Sequence, residues 1–147
     1  MKSLLDKLSY KGQHRIAIIN AGKNLKLVPL NDILDVQIDI EIDQRYPYDF
    51  MVFFVRFVSE VEQMAPLALH NLVADGMLWF CYPKKTSKKH TSEIDRDHGW
   101  NALNDAGFYG IRLVAIDDDW SAMRFRNVKY IKSTSGRFPA TNKTQCQ

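Results

Sequence analysis

Cysteine is scarce in this chain of 147 residues, with two in all, Cys81 and Cys146. Cys81 lies in an apolar run and reads as a small buried hydrophobe. Cys146 is the penultimate residue of a polar segment, and nothing pairs the two as a disulfide. Cysteines and histidines do not fall at zinc-site spacings, so no metal centre is expected. Long apolar runs are missing as well. The longest, "FMVFFV" (50–55), is far short of the about 20 residues a bilayer span needs. The opening "MKSLLDKLSY" carries Asp6 and Lys7 where a signal peptide would be apolar. The expectation is a cytoplasmic protein without a membrane segment.

What is present is ordinary in amount and uneven in place. Hydrophobic residues make up 46% and charged residues 25%, enough apolar sequence for one domain with a real core. The net charge of +3 conceals two basic segments. Residues 84–90, "KKTSKKH", carry +4, and residues 127–147 carry another +4 through Lys129, Lys132, Arg137 and Lys143. Taking those eight from the 20 basic residues leaves 12 against 17 acids, so the remainder stands at −5. An anionic partner is one meaning of such asymmetry. A solvated loop plus a solubilising tail is the other.

The periodicities predict alternating strands and helices. "HRIAIIN" (14–20) reads as a strand buried on both faces. "DVQIDIEID" (35–43) alternates Val36, Ile38, Ile40 and Ile42 with polar residues, the period of a half-exposed strand near a sheet edge. "FMVFFVRF" (50–57) suits a central strand. Ser59 and Glu62 have the spacing of a capping box, so a helix should start there, kink or restart at Pro66 and end at Asp75-Gly76. "MLWFCY" (77–82) is the next strand, stopped by Pro83. Ser92 should cap a helix through about residue 105, its first turn acidic with Glu93, Asp95 and Asp97 as the helix dipole favours. "IRLVAID" and "WSAMRFR" then form a hairpin around Asp118 and Asp119. Residues 133–147 have the polar, turn-forming composition of a flexible basic tail, which leaves 1–132 as a single domain.

This succession argues for an α/β layer fold. From Tyr48 to Asn127 it resembles the second half of a Rossmann-fold methyltransferase. The counterparts are Tyr48-Asp49 opening a central strand, the Asp75-Gly76 turn, the Ala106-Gly107-Phe108 turn and the closing hairpin at 111–126. The resemblance implies one mostly parallel sheet in the order 2-1-3-4-6-5, the last strand antiparallel and helices on the faces. It also implies S-adenosylmethionine as a cofactor, held by a glycine-rich turn after the first strand and an acid after the second. The matching residues are Asn20, Ala21, Gly22 and Asp43. The turn departs from the family's acid-x-Gly-x-Gly in having one glycine, and "RFVSEVE" stands where the amino-methylating branch has Asn/Asp-Pro-Pro-aromatic.

A second resemblance rests on "LWFCYPKKTSKK" and "AIDDDWSAMRFR". Both are similar to segments of a family of short bacterial proteins with a PK-x-x-S loop and a D-D-x-W-S hairpin. The matching residues are Trp79, Pro83, Lys84, Ser87, Asp117, Asp118, Trp120, Ser121 and Arg124. That family brings no activity with it.

The lysine loop contains no glycine, so it is not a nucleotide P-loop. Lys84, Lys85, Ser87, Lys88, Lys89 and His90 are the candidates for an anion contact. The plain alternative is a strand-to-helix connection kept soluble by lysine. The three successive acids 117–119 lack the alternation and glycine of a calcium loop and read as a polar turn. No serine or cysteine sits in a recognisable nucleophile motif. The leading reading is a non-catalytic binding or interaction module without a cofactor. A methyltransferase or other nucleotide-ligand enzyme is the alternative. A weak nucleic-acid binder using the basic loop and tail is the third.

Overall fold

The computed structural model describes residues 4–27 and 36–131. Six strands form one sheet: β1 (Arg15–Ile19), β2 (Gln37–Asp39), β3 (Tyr48–Phe54), β4 (Leu72–Pro83), β5 (Phe108–Ala115) and β6 (Trp120–Asn127). Their order is β2-β1-β3-β4-β6-β5. The first four run parallel, and β6 lies antiparallel to both β4 and β5. This is the expected order. The chain folds as a mixed α/β Rossmann-like sheet of the methyltransferase type. The expected basic tail lies outside the described residues. Among the described residues no helix is long and apolar enough to cross a membrane.

The continuous apolar runs become the central strands because both sheet faces are covered. Phe50, Val52 and Phe54 of β3 point to one face, with Trp79 and Cys81 of β4. There they meet Leu4, Leu5 and Leu8 from the N-terminal segment that contains helix α1 (Leu4–Lys7). Met51 and Phe53 point the other way, with Leu78, Phe80 and Tyr82. That face is closed by Val61, Ala65 and Ala68 of helix α2 (Val58–Asn71) and by Trp100 and Leu103 at helix α3 (Asn101–Asn104). The Phe53 and Phe80 rings stack at 5.0 Å, and the Trp100 indole donates to the Asp95 carbonyl at 2.8 Å.

Four local expectations need correction. The second strand keeps three residues of the nine that alternate. Val36 and Ile38 pack on the α1 face, whereas Ile40 is 61% exposed and Ile42 packs on the α2 face. The chain therefore folds back at Ile40. Arg15, at the start of β1, holds both Asp39 (2.7 Å) and Asp43 (3.1 Å). Helix α2 begins at Val58 and runs through Pro66 without interruption. Glu60 folds back onto the residues just before the helix, its carboxylate accepting from Arg56 N (2.7 Å) and from Phe57 N (3.2 Å) at the N-cap, so the Ser59/Glu62 pair is not the cap. The helix ends at Asn71, because Leu72 already pairs with Tyr48 in the sheet, and Asp75-Gly76 lies inside β4. The helix expected over 92–105 shrinks to Asn101–Asn104. Glu93 instead caps α2 by accepting from Val58 N at 2.9 Å, and Asp95 binds side chains of its own loop.

Candidate functional site

Open α/β sheets place ligands beyond the carboxyl ends of their strands, where the strand order reverses. Here that point lies between β1 and β3. After Ile19 the chain turns through Asn20 (φ 62°) and Gly22 (φ 54°), both left-handed. Asparagine is the residue besides glycine that tolerates this region. The turn thus reaches a backbone shape usually built with two glycines. A Cβ added at Gly22 would meet nothing within 4 Å, so the space beside it is open. The Asn20 amide bridges the two strands, donating to the Phe54 carbonyl and the Glu60 carboxylate, each at 2.8 Å. Glu60 therefore ties the β1 turn to the first turn of α2. Sequence reading missed it because Glu62 has the box spacing from the more obvious cap, Ser59.

The basic loop forms the opposite wall. Its course is set by the hairpin turn that follows β5. Asp117 Oδ1 accepts from Asp119 N and Trp120 N, both 2.8 Å, which fixes the turn. Lys84 N donates to the Asp119 carbonyl at 2.8 Å, continuing the pairing of Pro83 with Trp120. The Ser87 hydroxyl donates to the Asp119 carboxylate at 2.9 Å and accepts from Lys89 N and His90 N at 3.2 Å each. The PK-x-x-S loop and the D-D-x-W-S hairpin are thus one unit, joined through Ser87 and Asp119. This unit lays the His90 ring 5.2 Å from that of Trp120 and brings Lys89 within 3.7 Å of Asp119.

Between turn and loop lies a cleft of about 660 Å³. Asn20, Ala21, Lys23 and Asn24 line one side, Arg56, Phe57 and Glu60 its floor, and Lys89, His90, Asp117, Asp119 and Trp120 the other. Its formal charges balance, with Lys23, Arg56 and Lys89 against Glu60, Asp117 and Asp119. The volume falls within the range of small-ligand pockets.

A second cavity of about 410 Å³ opens behind the loop, lined by Tyr82, Lys84, Lys85, Asp95, His98 and Ser121 among others. Asp95 is its hub, with His98 Nδ1 at 2.8 Å, Lys85 Nζ at 3.1 Å and Asp97 N at 2.9 Å. Burial works to raise the Asp95 pKa, but the His98, Asp97 and Lys85 contacts outweigh it and hold the carboxyl below its ordinary range. The Tyr82 hydroxyl is pushed up to about 12, first by burial and then by the charge of Asp95.

The predicted residues divide among three cavities, and one of about 290 Å³ brings Lys84, Lys85, Ser87 and His90 together beside Glu93 and Asp95. Asn20, Ala21, Lys89 and His90 meet at the cleft. Lys84 and Lys85 line the cavity behind the loop, and Lys85 is paired there with Asp95. Ser87 is engaged in holding the loop, and Lys88 is exposed. Asp43 is not brought to the Asn20–Gly22 turn. It sits at the amino-terminal edge of the sheet, where Arg15, the Tyr48 hydroxyl and the Asn71 amide engage its carboxylate and backbone. Among the described residues no group of three or more His, Cys, Asp or Glu is placed to hold a metal.

No family model and no curated protein matches the chain. The resemblance to the short bacterial proteins stays an expectation. Solved structures do match. A protein from Sulfolobus solfataricus described as a type 11 methyltransferase aligns with a TM-score of 0.52 and 11% identity, over 92% of this chain and 95% of that one. The N-methyltransferase NodS from Bradyrhizobium japonicum, solved with S-adenosyl-L-homocysteine, aligns with a TM-score of 0.53 and 13% identity, over 84% and 83%. At such identity the likeness is one of fold.

Proposed function

We propose that the chain binds an S-adenosyl ligand in the cleft at the carboxyl ends of β1 and β3 and uses it for methyl transfer. One observation carries this: an open cleft of about 660 Å³ at the strand-order reversal of a methyltransferase-type sheet. The residues present fit such a ligand. The open space at Gly22 lets the backbone approach it closely. Phe57, 37% exposed at the cleft, offers a ring surface for a base. Lys23 and Arg56 suit a carboxylate, and Glu60, Asp117 and Asp119 suit hydroxyl or ammonium groups. The acids at the end of β2 and beyond it do not take part, since Asp39 and Asp43 are held by Arg15. When bound, S-adenosylmethionine supplies an electrophilic methyl group. His90, lining the cleft beside Trp120, is the side chain placed to accept a proton from a methyl acceptor.

Thermal unfolding with S-adenosylhomocysteine tests the binding. A ligand at about a hundred times its Kd adds about 2.7 kcal/mol, or roughly 5–10 °C in Tm for a domain of this size. Gly22→Val, which strains a left-handed position, should abolish the shift while leaving the far side of the sheet intact. No stabilisation at millimolar ligand overturns the proposal. Stabilisation without transfer of a radiolabelled methyl group to any nucleophile tested would reduce it to binding alone.

A further inference from the structure

The face of the sheet covered by α1 carries a second set of polar groups, remote from the cleft. Trp79 of β4, Arg124 of β6 and Arg112 of β5 stand directly opposite one another across three adjacent strands. Directly opposed residues share a face. Two residues further along β6, Arg126 points the same way. Arg126 is matched by Asp75, with bonds of 2.7 Å from Nε and from Nη2. Arg112 donates to the Ser9 hydroxyl at 3.0 Å. Arg124 differs from both. Among the described residues its buried Nε has no hydrogen-bond partner, and neither has the indole Nε1 of Trp79, a residue 0% exposed. Two neighbouring donors without an acceptor are a conspicuous cost in a sheet otherwise well satisfied.

We propose that Arg124, with the Trp79 indole beside it and Arg112 on the next strand, forms a site for a small oxyanion of the phosphate class. Indole and guanidinium are donors only, so their missing partner is an acceptor. Three arginines less the one carboxylate of Asp75 leave two positive charges, which suits a doubly charged oxyanion. A tetrahedral oxyanion offers several oxygens at once and can satisfy Nε and a terminal guanidinium N–H together. Burial, then the nearby charge of Arg126, depresses the Arg124 pKa despite Asp75, and Arg112 adds to this, as expected of a cation awaiting a counter-charge. The loop lysines Lys85 and Lys89 already have carboxylate partners, so they do not compete for the assignment. The site is separate from the cleft. Trp120 lines the cleft and Arg124 lies four residues further along β6, about 13 Å at about 3.3 Å per residue.

Nitrogen-15 NMR of the full chain, titrated with inorganic phosphate at constant ionic strength, tests this. The three tryptophans give three indole signals, and Trp79→Phe identifies that of Trp79. The expected result is a saturable shift of the Trp79 indole and the Arg124 Nε–H, with the indoles of Trp100 and Trp120 unmoved. Arg124→Met should weaken phosphate binding about tenfold or more, the usual effect of losing a charged hydrogen-bond partner. Arg112→Gln should weaken it several-fold. Lys84→Gln with Lys85→Gln should leave it unchanged. The inference is overturned if chloride produces the same shifts, if the Trp79 indole stays still, or if the lysine pair rather than Arg124 controls binding. Should Arg124→Met fail to fold, the wild-type titration and Arg112→Gln decide, because Arg112 is exposed and its replacement leaves the core intact.

Discussion

Ser87 and Asp119, replaced by alanine singly and together, measure how firmly the lysine loop is fixed at the cleft. Ser87→Ala removes the donor to Asp119 and the acceptor for two loop amides at 3.2 Å. Water replaces that acceptor at little cost, since Lys89 is exposed and His90 half-buried. Asp119→Ala removes the acceptor for Ser87 and the partner of Lys89. The Lys89 pair is 3.7 Å long with a lysine 77% exposed, so it contributes about 0–0.5 kcal/mol. The shared term is the hydroxyl-to-carboxylate bond of 2.9 Å, with Asp119 only 18% exposed. Hydrogen bonds to charged groups are worth about 1.5–3 kcal/mol, and a loop site belongs at the lower end. Each single variant should therefore lose about 1–2 kcal/mol, and the double-mutant cycle should show a coupling of about 1.5 kcal/mol. Urea denaturation measures the global part. Trypsin measures the local part, because four lysines lie in the loop and cleavage follows the opened population. At 1.4 kcal/mol per factor of ten, the initial cleavage rate should rise about tenfold in each single variant. The double variant should rise little further. A coupling below about 0.3 kcal/mol, together with unchanged cleavage, would refute the view that this bond fixes the loop.

Two further outcomes follow from the same structure. Burial raises the pKa of Asp39, but bonds from Tyr48, Gln37 and Arg15 outweigh it and hold the carboxyl below its usual range. A depressed carboxyl stabilises the fold fully above the unfolded value of about 3.9, and the gain is lost as pH falls towards the folded value. Tyr48→Phe should therefore lose about 1.5–3 kcal/mol at neutral pH. Its deficit relative to wild type should shrink below about pH 4, as followed by urea denaturation across pH, and a deficit independent of pH would contradict the assignment. The charge balance of the cleft gives the other outcome. A pocket with equal cations and acids disfavours a polyanion, so ATP should give a smaller thermal shift than S-adenosylhomocysteine at equal concentration, and the reverse order would refute that use of the cleft.

The sheet order was legible because it depends on coarse features. Apolar runs buried on both faces identify β1, β3 and β4, and the turn after β5 identifies the antiparallel pair. What failed were readings in which a residue had more than one physical use. Alternation over 35–43 describes which side chains are polar, not how far the backbone stays paired. Arg15 draws in Asp39 and Asp43 from 24 and 28 residues away and ends the strand early. The acids after Ser92 have the composition of a helix start, yet Glu93 caps a different helix, 35 residues back in the chain. Gly99 at φ 102° breaks the segment from which that helix would have grown. No local signal distinguishes an acid that caps its own helix from one that caps another.

The same ambiguity governs the lysine loop. Counted along the sequence, Lys84 to His90 form one basic cluster. In space Asp95 holds Lys85 on one side of the loop, while Ser87 and Asp119 fix Lys89 and His90 on the other. An anion approaching the loop therefore does not meet four lysines converging on one point. Two of the four, Lys85 beside Asp95 and Lys89 beside Asp119, are paired with a carboxylate that lowers their attraction at short range. Among the described residues the cation whose buried N–H lacks a partner is Arg124, an arginine within "SAMRFR" that charge counting gives no reason to notice. Its position opposite Trp79 depends on the antiparallel register of β4 and β6, with Leu78 opposite Phe125 and Pro83 opposite Trp120. A shift of that register by one residue would turn Arg124 to the α2 face among Phe80, Trp100 and Leu103, where an unpaired charge could not remain. The apolar packing that fixes the register is therefore also what sets this arginine among unsatisfied donors on the opposite face.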